Sequence, residues 1–315
     1  MLDATGFRLL NSWQRGFPLV PRPFAEIAKA CGLDEDEVIS RFGQLMQHGL
    51  IDRIGPVFRP NTVAASTLAA MAVPPGRVEA VAGQVSGHAG VTHNYERENP
   101  YNLWFVAAAP TDAALQRTLA CIEHETGLPV LRLPLLEEFH IDLGFDLQDH
   151  RVPRERQREP AATLSEAERR LAASVAAGLP LDARPFAAFA LPEQEFIGTL
   201  QRWLEAGVVR RIGAVVRHRP LGYEANAMVA WDVPDDDARD VGCRLAADPA
   251  VTLCYRRARA APAWPYSLYC MVHGRERAGV TQAIERLCAQ HALGKYPRAI
   301  LFSKRCFSQR VARHG

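Results

Sequence analysis

The residues best suited to chemistry in this sequence cluster in two short stretches. In Val91-Thr92-His93-Asn94-Tyr95-Glu96-Arg97, an imidazole, a phenol and a guanidinium fall on alternate positions. A β-strand would therefore present His93, Tyr95 and Arg97 on one face. In Pro100-Tyr101-Asn102-Leu103-Trp104-Phe105 the same alternation groups Asn102 with Trp104. Burying such groups unpaired costs on the order of several kcal/mol, so they need protein partners, a ligand, or exposure to solvent. A flat, anionic ligand that stacks on aromatic rings suits this set. The second stretch offers Tyr255, Arg256 and Arg257, then Tyr266, Ser267, Tyr269 and His273, with Lys304 and Arg305 further on. Leu253 stands where His93 stood, and His273 supplies this stretch with an imidazole from the next strand. Arginine and lysine suit carboxylate binding, and a histidine titrating near neutrality suits proton transfer.

The two stretches belong to a tandem repeat. LDEDEVISRFGQLMQHGLIDRIG (33–55) aligns without a gap to LPEQEFIGTLQRWLEAGVVRRIG (191–213), VTHNYER to VTLCYRR, and PYNLWF to PYSLYC. Each copy opens with helical signals and then a β-like segment, Ile51 to Phe58 and Val208 to Val215, the pattern of a winged helix-turn-helix. A strand-helix-strand-strand-helix-strand order follows. Strands are expected near 67–73, 90–97, 101–109 and 130–136, and near 225–233, 250–257, 266–272 and 298–303. The fold class is thus α+β, a tandem winged helix-turn-helix plus ferredoxin-like (βαββαβ) sandwich, a pseudo-dimer in one chain. The expected domains are 1–62 and 63–143 for copy one, a polar linker at 144–163, and 164–220 and 221–315 for copy two.

Composition narrows the class. Residues 1–150 carry 11 Lys/Arg against 18 Asp/Glu, and the remainder 26 against 17, so an acidic half adjoins a basic one. Seven scattered cysteines without a Cys-x-x-Cys pair argue against a disulfide framework or zinc ribbon and for a cytoplasmic protein. No apolar run is long enough to span a membrane, and the N-terminus has no signal-peptide pattern.

The domain order resembles the Lrp/AsnC transcription regulators, which would imply DNA binding. The candidate recognition helix of copy one nevertheless opens with Asp34, Glu35, Asp36 and Glu37 and carries Arg41 as its one cation. Phosphates would repel it. Copy two has lost four residues between its helices, so no DNA partner is expected. HNYER with PYNLWF, CYRR with WPYSLYCMVHG, the repeated RIG, and LGYEANAMVAWDVPDD (221–236) resemble the siroheme decarboxylases of the NirD/NirL type, with both subunits fused. The resemblance implies loss of carbon dioxide from the C12 and C18 acetates of siroheme, giving 12,18-didecarboxysiroheme for haem d1. It implies no cofactor beyond the iron carried by the substrate and no metal site of the protein's own. Candidate partners are siroheme and other siroheme decarboxylase subunits, with any higher homo-oligomer left open. The catalytic candidates are His93 and His273. The substrate-binding candidates are Tyr95, Arg97, Asn102, Trp104, Tyr255, Arg256, Arg257, Tyr266, Tyr269, Lys304 and Arg305. A ligand-sensing regulator and a non-catalytic tetrapyrrole carrier are the rival readings.

Overall fold

The computed structural model describes residues 2–141, 144, 147 and 164–309. They form two compact units, Met1–Val63 with Gly144–Gly222, and Ala64–Leu143 with Tyr223–Gly315.

In the first unit, α1 (Ala4–Ser12) is capped by Asp3, whose carboxylate accepts the Gly6 amide at 2.6 Å. α2 (Pro23–Cys31) ends on Gly32 at φ 67°, a left-handed stop that glycine adopts without strain. α3 (Glu35–Gln47) buries Val38, Phe42 and Leu45, with Phe42 against Phe24 of α2 at 6.0 Å. The cation Arg41 is already paired with Asp3 and Glu37. β1 (Ile51–Phe58) follows. In copy two, Ser165 and Glu168 form a reciprocal capping box on α6 (Glu166–Ala176). The four-residue deletion leaves a 3-10 turn, Pro185–Ala188, where copy one has α2. α7 (Glu193–Glu205) and β6 (Val209–Val216) complete the copy.

β1 and β6 pair with each other antiparallel, with Gly55 opposite Gly213. The β-ribbon is therefore made between the copies, one strand from each. A Cβ on Gly213 would lie 2.4 Å from the carbonyl oxygens of Trp13 and Gln14, a physical reason for glycine at this position of the repeated RIG. The linker read at 144–163 lies outside the described residues except for Gly144 and Leu147. The Leu147 amide donates to Asn11 Oδ1 at 2.8 Å.

The second unit holds β2 (Ala65–Met71), α4 (Val78–Gly87), β3 (Val91–Arg97), β4 (Leu103–Ala109), α5 (Asp112–Thr126) and β5 (Leu131–Ile141) from copy one. Copy two contributes β7 (Ala225–Trp231), α8 (Asp235–Ala246), β8 (Leu253–Arg257), β9 (Leu268–Gly274), α9 (Arg277–Gln290) and β10 (Arg298–Gln309). The strands pair in the order β10-β3-β4-β2-β5-β8-β9-β7. One sheet face of each copy packs on its own helices, as where Met71, Leu103 and Phe105 meet Val81, Leu119 and Ile122. The opposite faces of the two copies share a third core of Leu68, Trp104, Leu133, Met228, Tyr255, Tyr269 and Leu301. β5 and β10 outrun their expected lengths. Their first halves pair with β2 and β7 of their own copies, and their second halves with β8 and β3 of the other copy. Among the described residues no helix is long and apolar enough to cross a membrane.

Candidate functional site

His93, Tyr95 and Arg97 lie on the inner face of β3, the one turned away from the helices. A register shift between Val91 and His93 sends Val91 into the helix-side core and sets His93 opposite Val106 and Tyr95 opposite Trp104. The His93 and Tyr95 rings lie nearly parallel, 26° apart with centroids at 6.4 Å. The Tyr95 hydroxyl donates to Gln309 Oε1 at 3.4 Å. Arg97 is 7% exposed. Its guanidinium sits 5.5 Å from the Tyr95 centroid and donates to the Leu301 carbonyl at 3.1 Å. Arg257 repeats the arrangement, 4.7 Å from the Tyr255 centroid and donating to the Leu133 carbonyl at 2.8 Å. Among the described residues no carboxylate pairs with Arg97 or Arg257, and the Nε of each lacks a hydrogen-bond partner. Burial lowers the Arg97 pKa below the usual guanidinium value, against the opposing pull of Tyr255 and Tyr95.

An aromatic layer fills the interior beside these groups. Trp104 and Trp264 meet edge to face at 5.0 Å, Trp264 meets Tyr266 at 4.8 Å, and Tyr255 stacks on Tyr269 at 5.6 Å. The indole of Trp104 donates to the Tyr101 carbonyl at 2.6 Å, and that of Trp264 to the Tyr269 hydroxyl at 2.7 Å. Burial pushes the Tyr255 and Tyr269 phenols above their ordinary pKa, so both remain neutral hydrogen-bonding groups at neutral pH.

The histidines come from different copies but fall on the same side of the strand order. His93 is on β3, next to β10; His273 is on β9, two strands from β10 in the other direction. Between them the register runs from His273 to Asn226 on β7. The Ser303 hydroxyl donates to the Asn226 side chain, and Ser303 is opposite Arg97 on β3. The repeat-related positions around β5 are Leu253 on β8 and Ala108 on β4, and neither carries an imidazole. Of these two repeat-related pairs of positions only the one beside β10 carries imidazoles, while the histidine on the other side, His140, belongs to β5 itself, opposite Cys254.

Four nominated residues have other neighbours. Asn102 ties β4 to the segment after β2, accepting the Val73 amide at 2.9 Å and donating to the Val73 carbonyl at 2.8 Å. Arg256 pairs with Asp235 at 2.8 Å. Lys304 and Arg305 pair with Glu96 at 3.0 and 2.6 Å, and Arg305 also with Glu79. Burial alone would raise the Glu96 pKa; the hydrogen bonds from Lys304 and Arg305 outweigh it and hold the carboxyl below its ordinary value. Trp264, Thr92, Thr252, Asn226 and Ser303 were not among the nominated residues. The two threonines were legible as an identity between VTHNYER and VTLCYRR, whereas Asn226 and Ser303 join the site only through strand pairing. Among the described residues no cluster of histidine, cysteine or carboxylate side chains could hold a metal ion.

Comparison with known proteins agrees with this architecture. The AsnC-like ligand binding domain family matches residues 63–140 and 220–308, and the siroheme decarboxylase NirDL-like HTH domain family matches 7–51. The siroheme decarboxylase NirDL subunit of Paracoccus denitrificans is 43% identical over 317 residues, covering 99% of this chain and 97% of that protein. The chain belongs to the siroheme decarboxylase NirDL family. A NirD subunit of Stutzerimonas stutzeri is 46% identical over 148 residues, 47% of this chain and 97% of its own length, so the halves also exist as separate chains in this family. The crystal structure of the siroheme decarboxylase NirDL in co-complex with an iron-uroporphyrin III analogue superposes with a TM-score of 0.69 at 28% identity, covering 98% of this chain and 93% of that one.

Proposed function

We propose that this protein is a carboxy-lyase that converts siroheme to 12,18-didecarboxysiroheme in the cytoplasm, as a step of haem d1 synthesis. The observation that carries the site assignment is Arg97, a desolvated guanidinium with no carboxylate partner among the described residues, on the side of the fold that holds both histidines. Arg97 suits one carboxylate of the substrate, at roughly 1.5–3 kcal/mol for a charge-assisted hydrogen bond. Tyr95, Trp104, Tyr255, Tyr266, Tyr269 and Arg257 form the aromatic and cationic surround for the macrocycle.

In each decarboxylation the bond between the acetate methylene and its carboxylate breaks and carbon dioxide departs. The electron pair stays on the methylene carbon and is delocalised into the conjugated macrocycle. A proton from an imidazolium then completes the methyl group, leaving a neutral imidazole that solvent reprotonates. His93 serves one acetate and His273 the other. The test is anaerobic incubation with siroheme followed by mass analysis of the pigment. Two successive losses of carbon dioxide are expected, with His93→Ala and His273→Ala each slowing one loss by about 10²–10⁴. An unchanged pigment mass with the native protein would establish a carrier instead. Two losses at the native rate in both variants would remove the histidine assignment.

A further inference from the structure

We propose that Thr92 and Thr252 are paired positioning residues that hold both histidines in one tautomer, leaving Nε2 as the nitrogen that gains and gives the proton. The proposal rests on the histidine assignment above. Both threonines are buried and occupy the same position of the repeat. The Thr252 hydroxyl donates to the Met271 carbonyl at 3.0 Å and lies 2.7 Å from His273 Nδ1. The Thr92 hydroxyl is 3.4 Å from the carbonyl of Val106, the repeat equivalent of Met271, and 2.9 Å from His93 Nδ1. A hydroxyl has one proton to give. With that proton directed at a backbone carbonyl, the oxygen accepts, so the facing Nδ1 carries a hydrogen. A neutral imidazole held as Nδ1–H has its lone pair on Nε2. The histidine is on β3 in copy one and on β9, the strand paired with β8, in copy two, yet each imidazole reaches the threonine at the same repeat position, Thr92 or Thr252. The threonine site is the retained feature, and the imidazole arrives at it by two routes.

The test uses the full chain labelled with ¹⁵N-histidine. Two-bond proton–nitrogen spectra report the tautomer of each ring without substrate. We expect Nδ1–H for His93 and His273 in the native protein. Thr92→Val should shift His93 alone towards Nε2–H, and Thr252→Val should shift His273 alone. Thr→Ser at either position keeps the hydroxyl and should restore both the tautomer and turnover. In the siroheme assay each valine variant should lower kcat at least ~10-fold for one of the two losses at unchanged KM, since general acid catalysis contributes about 10²–10⁴. Native tautomers in both valine variants would overturn the proposal. Shifted tautomers with undiminished decarboxylation would leave the positioning role standing and overturn the assignment of the histidines as proton donors.

Discussion

A guanidinium taken out of water loses hydration that Arg97 recovers only in part, from one backbone carbonyl and the face of Tyr95. Its replacement by methionine keeps the length of the side chain and removes the buried charge. Arg97→Met should therefore leave the melting temperature equal to or above the native value, since apolar replacement of a poorly paired buried charge is often neutral or stabilising. The same variant should bind siroheme roughly 10- to 100-fold more weakly, the equivalent of one charge-assisted hydrogen bond. Calorimetric melting and absorbance titration measure the two effects separately; a variant that melts far lower would make Arg97 a structural residue. His218 offers a pH test in the other unit. Burial, reinforced by Arg211, pushes its pKa down to about 4 from the usual 6.5. A depressed histidine makes the unfolded state the better proton acceptor, so stability is full above about pH 6.5 and declines as the pH falls towards 4. The melting temperature should follow that course, and His218→Gln should flatten it.

At the level of elements, the two longest strands carry the arrangement. β5 and β10 each begin in the sheet of their own copy and end in the sheet of the other, which brings Ser303 to Arg97 and Gln309 to His93. The expected ends at 136 and 303 stopped short because the apolar alternation fades there: LeuLeuGluGluPheHis and SerLysArgCysPheSer look like exits from a strand. Their backbones are satisfied by a partner far away in sequence, and no local pattern announces such a partner. The β1–β6 ribbon shows the same dependence on close approach. Gly213→Ala would drive a methyl into two backbone carbonyls that cannot swing aside, and should cost about 1–3 kcal/mol by overpacking. Denaturant titration reads that loss, and an unchanged midpoint would mean that the Trp13–Gln14 segment gives way freely.

At the scale of the whole molecule, duplication builds two pseudo-equivalent sides, and divergence leaves the two nominated histidines together on one of them. Around β10 the strands present His93 and His273; around β5 the matching places hold Leu253 and Ala108. One tetrapyrrole per chain is the expected stoichiometry, measured by titrating the protein with siroheme under anaerobic conditions. Two equivalents bound with similar affinity would contradict it.

By itself the sequence determined the repeat, the element order, the α+β class and the shared face of His93, Tyr95 and Arg97. These are local matters, set by periodicities of two and 3.6 residues and by caps such as Ser165 and Gly32. It also exposed the asymmetry between the copies, since Leu253 in the place of His93 is visible in an alignment of the chain with itself. Only the tertiary structure decided which polar groups turn inward without a charge partner. Arg97, Arg257, Lys304 and Arg305 look alike as letters, yet Glu96 claims the last two and no described carboxylate meets the first two. Ion pairing depends on where a carboxylate on another strand ends up, and strand exchange between the copies set that position. The same exchange placed His93 and His273 on one side of the fold.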